Sequence, residues 1–173
     1  LSVPSVAHTG RLPAMVLFHI SMRVRLTTQI LPPWAVQDAT GTIMEIDFSP
    51  RDRRRISDGA DAHRATEMCL EELPLGVYIK LDNCNREFLP PLVCGQHRSA
   101  GFSKTCAACR SFEGWLLIEP IRRVWTFTDS VTGATLKVSR NQLPLMPAAA
   151  CPLHSLQGAT CDQGFIAHFV MPK

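Results

Sequence analysis

Four potential metal ligands lie within "CGQHRSAGFSKTCAAC", residues 94–109. Cys94 and His97 form a C-x-x-H pair, Cys106 and Cys109 form a C-x-x-C pair, and Gly101 sits in the connector. Zinc takes four ligands that converge tetrahedrally, and a C-x-x-C turn sets two sulfurs at a suitable separation for one ion. The eight-residue connector is shorter than that of the common zinc ribbons, so two readings stand: a structural zinc site, or unliganded thiols in a surface insertion. A catalytic thiol has no support, because no Cys/His pair comes with an identifiable activating environment. The second stretch with chemical content is "ACPLHSLQGATCD", residues 150–162, where His154, Gln157, Gly158 and Thr160 lie between two apolar runs. A glycine lets the backbone approach a ligand closely, and polar side chains on a sharp turn can follow a phosphate. Taken in isolation, His154 is as well read as a local structural hydrogen-bonder.

Such residues need a scaffold, and the composition supplies one. With 173 residues, 46% hydrophobic and 19% charged, the chain is long enough for one domain, or one domain and part of another, around a real core. It is not the composition of a disordered tail. No apolar stretch reaches the roughly 20 residues of a membrane-spanning helix, so no membrane association is expected. A net charge of +3 is compatible with a phosphate-facing patch and too small to establish one. Seven cysteines without secretory context point to reduced thiols or metal ligands, and so to an intracellular setting. The chain begins at Leu1 with neither a basic n-region nor a small-residue cleavage site, which predicts no signal peptide and a piece of a larger protein.

The elements that would position these residues are mostly short strands. "MRVRLTTQIL" and "GTIMEIDF" alternate as half-buried strands do, the second with Met44, Ile46 and Phe48 on one face and Glu45 and Asp47 on the other. "PPWAVQDAT" between them carries turn residues. "GVYIKLD" predicts Val77, Ile79 and Leu81 inward, and "WLLIEP", "VWTFT" and "ATLKVSR" follow. The last two flank "DSVTG", a hairpin signal because Gly133 can take a positive φ. The continuous apolar runs "AMVLFHI" and "GFIAHFV" read as buried strands, predicted to lie side by side. Short strands with tight turns predict a small β-barrel. Two insertions interrupt it, residues 49–73 and 91–112. The first is expected to begin as a charged loop, with Arg51, Arg53, Arg54 and Arg55 touching phosphates or simply solvated, and to end in a helix from about Ala60 through Ala62, Ala65 and Cys69.

Two segments resemble one family. "MRVRLTTQILPPWAVQDATGTIMEIDF" is similar to the stretch of the Pif-type and RecD-like DNA helicases of superfamily 1B that opens an SH3-like barrel, and "VSRNQLPLMPAAACPLHSLQGATCD" is similar to the stretch that contains their motif V. The resemblance covers most of the chain apart from residues 49–73 and 91–112. It implies a mainly β fold with some α, in which an SH3-like small β-barrel over 21–140 is inserted into an incomplete α/β, RecA-like motor domain. Residues 1–20 would form the edge of that motor and 141–173 the return to it. By the same resemblance His154, Gln157, Gly158 and Thr160 are the motif V residues, His154 near single-stranded DNA and Gly158 near the phosphate end of the ATP cleft. Pro152, Ser155 and Cys161 depart from the family pattern, as do Gln29, Gln37 and Asp38 in the first segment.

The implied activity is ATP-dependent DNA unwinding, with links to DNA repair. The partners would be single-stranded DNA and the rest of the motor, and ATP and magnesium would belong to the full-length helicase. This stretch contains no G-x-x-x-x-G-K-[ST] loop, and its last residues, "FIAHFVMPK", precede the arginine-bearing motif expected next. No catalytic residue is therefore assigned here, and no ATPase is expected from this chain alone. Arg23, Arg25, Lys137, Arg140 and His154 are the candidate DNA contacts, and Trp34, Trp115 and Trp125 are either base-stacking platforms or core. A stand-alone, zinc-stabilised binding module for nucleic acid or protein, and an inactive mobile-element fragment, are the other readings.

Overall fold

The structure is a computed structural model, and it describes residues 12, 15–58, 68–82, 84, 89, 92–93, 102–129 and 132–149. In chain order the elements are β1 (Arg23–Leu26), β2 (Thr40–Asp47), α1 (Pro50–Ser57), β3 (Gly76–Leu81), α2 (Ala107–Ser111), β4 (Trp115–Ile118), β5 (Ile121–Thr128), β6 (Thr135–Gln142) and β7 (Leu145–Pro147). They form two antiparallel sheets, one of five strands in the order β4-β3-β2-β1-β7 and a two-stranded ribbon of β5 and β6. The mainly β expectation holds, but among the described residues no closed barrel forms: β4 and β7 are the edges of an open sheet, and the ribbon pairs with no other described strand. Pro120 sits at the junction between β4 and β5. It has no N–H to donate, so a ladder does not run through that point. No helix among the described residues is long and apolar enough to cross a membrane.

One face of the large sheet makes the core. Val24 and Leu26 from β1, Ile43 from β2, Val77 and Ile79 from β3, Leu116 and Ile118 from β4 and Leu145 from β7 are buried together, joined by Ala35, Leu89 and Leu143. The inward set predicted for β3 is the one observed. In β2 the phase changes midway, because a bulge between Ile43 and Glu45 breaks the register with β3. Before the bulge Gly41 and Ile43 are buried, and after it Ile46 packs on the core. Of the predicted face of Met44, Ile46 and Phe48, Ile46 packs on the core and Met44, at the bulge, does not, since one extra residue turns the alternation over there. Gly41 is required there: a Cβ would stand 2.6 Å from the Lys80 carbonyl oxygen.

Two expectations about the connections change. The arginine run read as a loop is helix α1. Ser49 caps it by accepting the Asp52 N–H on its hydroxyl, and Pro50 fills the first helical turn where no N–H is needed. Asp52 is fully buried and accepts the N–H groups of Glu71 and Glu72 and the guanidinium of Arg55, so it ties the helix to the chain that leads into β3. The helix read from about Ala60 falls mainly on 59–67, outside the described residues. The run over 14–20 is not a strand where it is described: residues 15–19 are irregular, and Met15, Leu17 and Ile20 are 76%, 61% and 51% exposed. Its Phe18 does pack on the core. The partner run "GFIAHFV" lies outside the described residues.

Candidate nucleic-acid interface

The ribbon is full-length and regular, pairing Ile121 with Gln142 at one end and Thr128 with Thr135 at the other. The turn between is the predicted hairpin, with Gly133 at φ +69° and the Asp129 N–H donating to the Ala134 carbonyl. Directly paired residues share a face. One face therefore carries Arg122, Val124, Thr126 and Thr128 opposite Asn141, Ser139, Lys137 and Thr135, and all eight are exposed. The opposite face carries Ile121, Arg123 and Trp125 opposite Gln142, Arg140 and Val138, and Gln142 is buried there. Neither strand holds an acidic residue. The outer face presents two cations, a row of hydroxyls and an amide, which are the groups that bind phosphate oxygens through charge-assisted and neutral hydrogen bonds.

The candidate DNA-contacting residues have different fates. Lys137 is exposed on the outer face. Arg140, three residues on, points the other way: its guanidinium lies 5.5 Å from the centroid of the Trp125 ring and donates to the Leu12 carbonyl at 2.8 Å. Arg25 is 5% exposed, with Asp38 at 3.6 Å and no hydrogen-bond partner on its Nε. Arg23 is half-exposed and donates through both Nη atoms to Asp82, and through Nη1 to Thr42 at 3.1 Å. Asp82 also accepts from the Thr40 hydroxyl. The Arg23 donors hold the Asp82 carboxyl below the usual range against the opposing effect of burial, with Thr40 helping. His154, Gln157, Gly158 and Thr160 lie outside the described residues. Arg122 was not among the candidates, although the alternation of "IRRVWTFT" places it in phase with Thr126 and Thr128.

The three tryptophans also separate. Trp115 packs edge-on against Phe112 at 5.1 Å, with Tyr78 at 6.4 Å, a cluster that seats the end of α2 on the sheet. Trp125 lies under Arg140, and its indole N–H is buried without a partner. Trp34 lines a surface cavity with Pro33, Val36, Ala39, Thr40, Leu81 and Asp82. Of the four zinc-ligand candidates, Cys106 precedes α2 and Cys109 is buried within it. Cys94 and His97 lie outside the described residues, and among the described residues no group of three or more His, Cys, Asp or Glu is placed to hold a metal.

No protein-family model matches the chain, and no curated protein matches it. Among solved structures it is similar to the crystal structure of Pif1 helicase from Candida albicans, with a TM-score of 0.42 and 17% identity, over 92% of this chain and 29% of that one. The chain thus spans less than a third of that helicase's length.

Proposed function

We propose that this chain is the C-terminal part of a superfamily 1B DNA helicase, with residues 21–140 as its inserted β-domain and 141–173 as the return to the motor. What carries the reading is the continuous stretch "VSRNQLPLMPAAACPLHSLQGATCD" at 138–162, with His154, Gln157, Gly158 and Thr160 in the motif V order. The wholly exposed, acid-free outer face of the β5–β6 ribbon supports it physically, because single-stranded DNA needs cations and hydroxyls along a track rather than a deep pocket. In this reading Arg122 and Lys137 neutralise phosphates, Arg140 shapes the ribbon from beneath, and the motif V loop couples DNA to the nucleotide held by the rest of the motor. ATP and magnesium are bound by that remainder, where phosphoryl transfer has its positioning groups.

The test combines binding with turnover. The chain alone hydrolyses no ATP at any DNA concentration, and binds a labelled single-stranded oligonucleotide weakly, with affinity that drops steeply as salt rises. His154→Ala weakens that binding. Full affinity in His154→Ala, or no binding even at low salt, removes the helicase reading.

A further inference from the structure

The cavity beside Arg23 is a different feature from the ribbon. It measures about 250 Å³, and the described residues that line it are Pro33, Trp34, Val36, Ala39 and Leu81, with Thr40 and Asp82 as polar members. The Asp82 carboxylate accepts from Arg23 on both oxygens and from Thr40 on one. A carboxylate has about four lone-pair positions, so one acceptor position remains. The Arg23 guanidinium, fixed by Asp82 and by Thr42, is half-exposed next to this slot and uses three of its five N–H donors on those partners. A small, part-polar cavity with Trp34 in its lining, one open acceptor on Asp82 and the Arg23 cation beside that carboxylate suits one chemical unit, an aromatic base joined to an anion.

We propose that this cavity receives one unstacked nucleobase of a single strand, its plane against Trp34 and its exocyclic amine donating to Asp82, while Arg23 holds the adjoining phosphate. The site rests on the nucleic-acid reading above and adds a base-binding step to the ribbon, which touches only the backbone. A paired base is locked in its stack and cannot enter, so the site selects single strands. Asp82 has two functions in it: it aims Arg23, and it reads the base edge.

The experiment compares a short labelled deoxycytidylate oligomer with an abasic oligomer of equal length, both titrated at low salt against the full chain. The unaltered chain prefers the base-bearing oligomer by about five-fold or more, the size of one base stacked on an aromatic ring. Trp34→Ala removes the preference and leaves abasic binding unchanged. Val36→Trp does the same by filling the mouth while Trp34 is kept, and circular dichroism confirms that both variants are folded. A preference that survives in both variants overturns the base site. So does equal binding of the two oligomers by the unaltered chain, and if Arg122→Ala and Lys137→Ala weaken both equally, the ribbon reading stands without the cavity. No binding of either oligomer overturns the base site and the nucleic-acid reading together.

Discussion

The five-stranded sheet and the β5–β6 ribbon use the same strand alternation for opposite purposes. In the sheet the alternate residues Val77, Ile79 and Leu81 are no more than 7% exposed and meet Ile43, Leu116 and Ile118 from the neighbouring strands. In the ribbon one set of alternate positions, from Arg122 to Thr128 and from Thr135 to Asn141, lies entirely in water. Arginines show the contrast most clearly. Arg25 on a sheet strand is buried beside Asp38, whereas Arg122 on the ribbon reaches across to Ser139 at 3.3 Å and stays exposed. The sheet supplies stability, and the ribbon supplies a surface whose composition stability does not dictate. A long exposed face with cations and hydroxyls and no acid is the surface on which the proposed DNA track rests.

The largest expected effect tests the sheet's side of this division. Ile79 is 1% exposed at the centre of the core, so Ile79→Ala loses about 2–5 kcal/mol through transfer and cavity terms. Urea unfolding measures it, and a loss under about 1 kcal/mol would show that the sheet face is not the principal core. Next comes Asp52→Asn. Burial pushes the Asp52 carboxyl up, but the N–H groups of Glu71 and Glu72, with Arg55 and Ser49, outweigh burial and hold it below the usual range. A carboxyl with a depressed folded pKa contributes stability above its unfolded value of about 4, and that contribution is lost as pH falls through the folded value. The unaltered protein therefore loses melting temperature steeply below about pH 4, while Asp52→Asn starts lower at neutral pH and falls less on acidification. Parallel curves for the two proteins would mean that Asp52 is not the tie between α1 and β3.

Arg140→Ala comes third, and it falls where the sequence was least legible. The β3 strand and the Gly133 hairpin were readable because each depends on a local pattern, an alternation of apolar residues or one residue able to take positive φ. Helix α1 was hidden by its arginines, although Ser49, Pro50 and Asp52 form a capping sequence that a close reading of the helix start would find. The inward turn of Arg140 and the burial of Arg25 were out of reach, because both depend on residues far along the chain: Leu12 for the first, Asp38 and its loop for the second. Basic residues read as equivalent are separated only by register and by long-range partners. Loss of the Arg140 contacts with Trp125 and Leu12 costs about 1 kcal/mol by chemical denaturation. A larger loss of DNA affinity than of stability would return Arg140 to the binding surface.

The smallest expected effect on stability is also the one that decides the comparison. Arg122 and Lys137 stand on the outer face of the ribbon, where neither side chain is buried and neither packs against the core. Replacing both with alanine shifts unfolding by no more than about 0.5 kcal/mol, the usual range for surface substitutions. Their removal nevertheless takes two cations from a track that the proposed function requires. For single strands each neutralised phosphate contributes about 0.7 to the slope of log affinity against log salt, so the slope flattens by roughly 1.4 in the double variant. The weakening should be equal for oligomers of different sequence, because the proposed function gives Arg122 and Lys137 phosphate contacts and no base edge to read. Anisotropy titrations over a range of salt, run beside urea melts on the same samples, give both quantities. An unchanged slope would show that the exposed face is not the DNA track. A loss of stability comparable to that of Ile79→Ala would show that the ribbon, like the sheet, is held by what its residues bury.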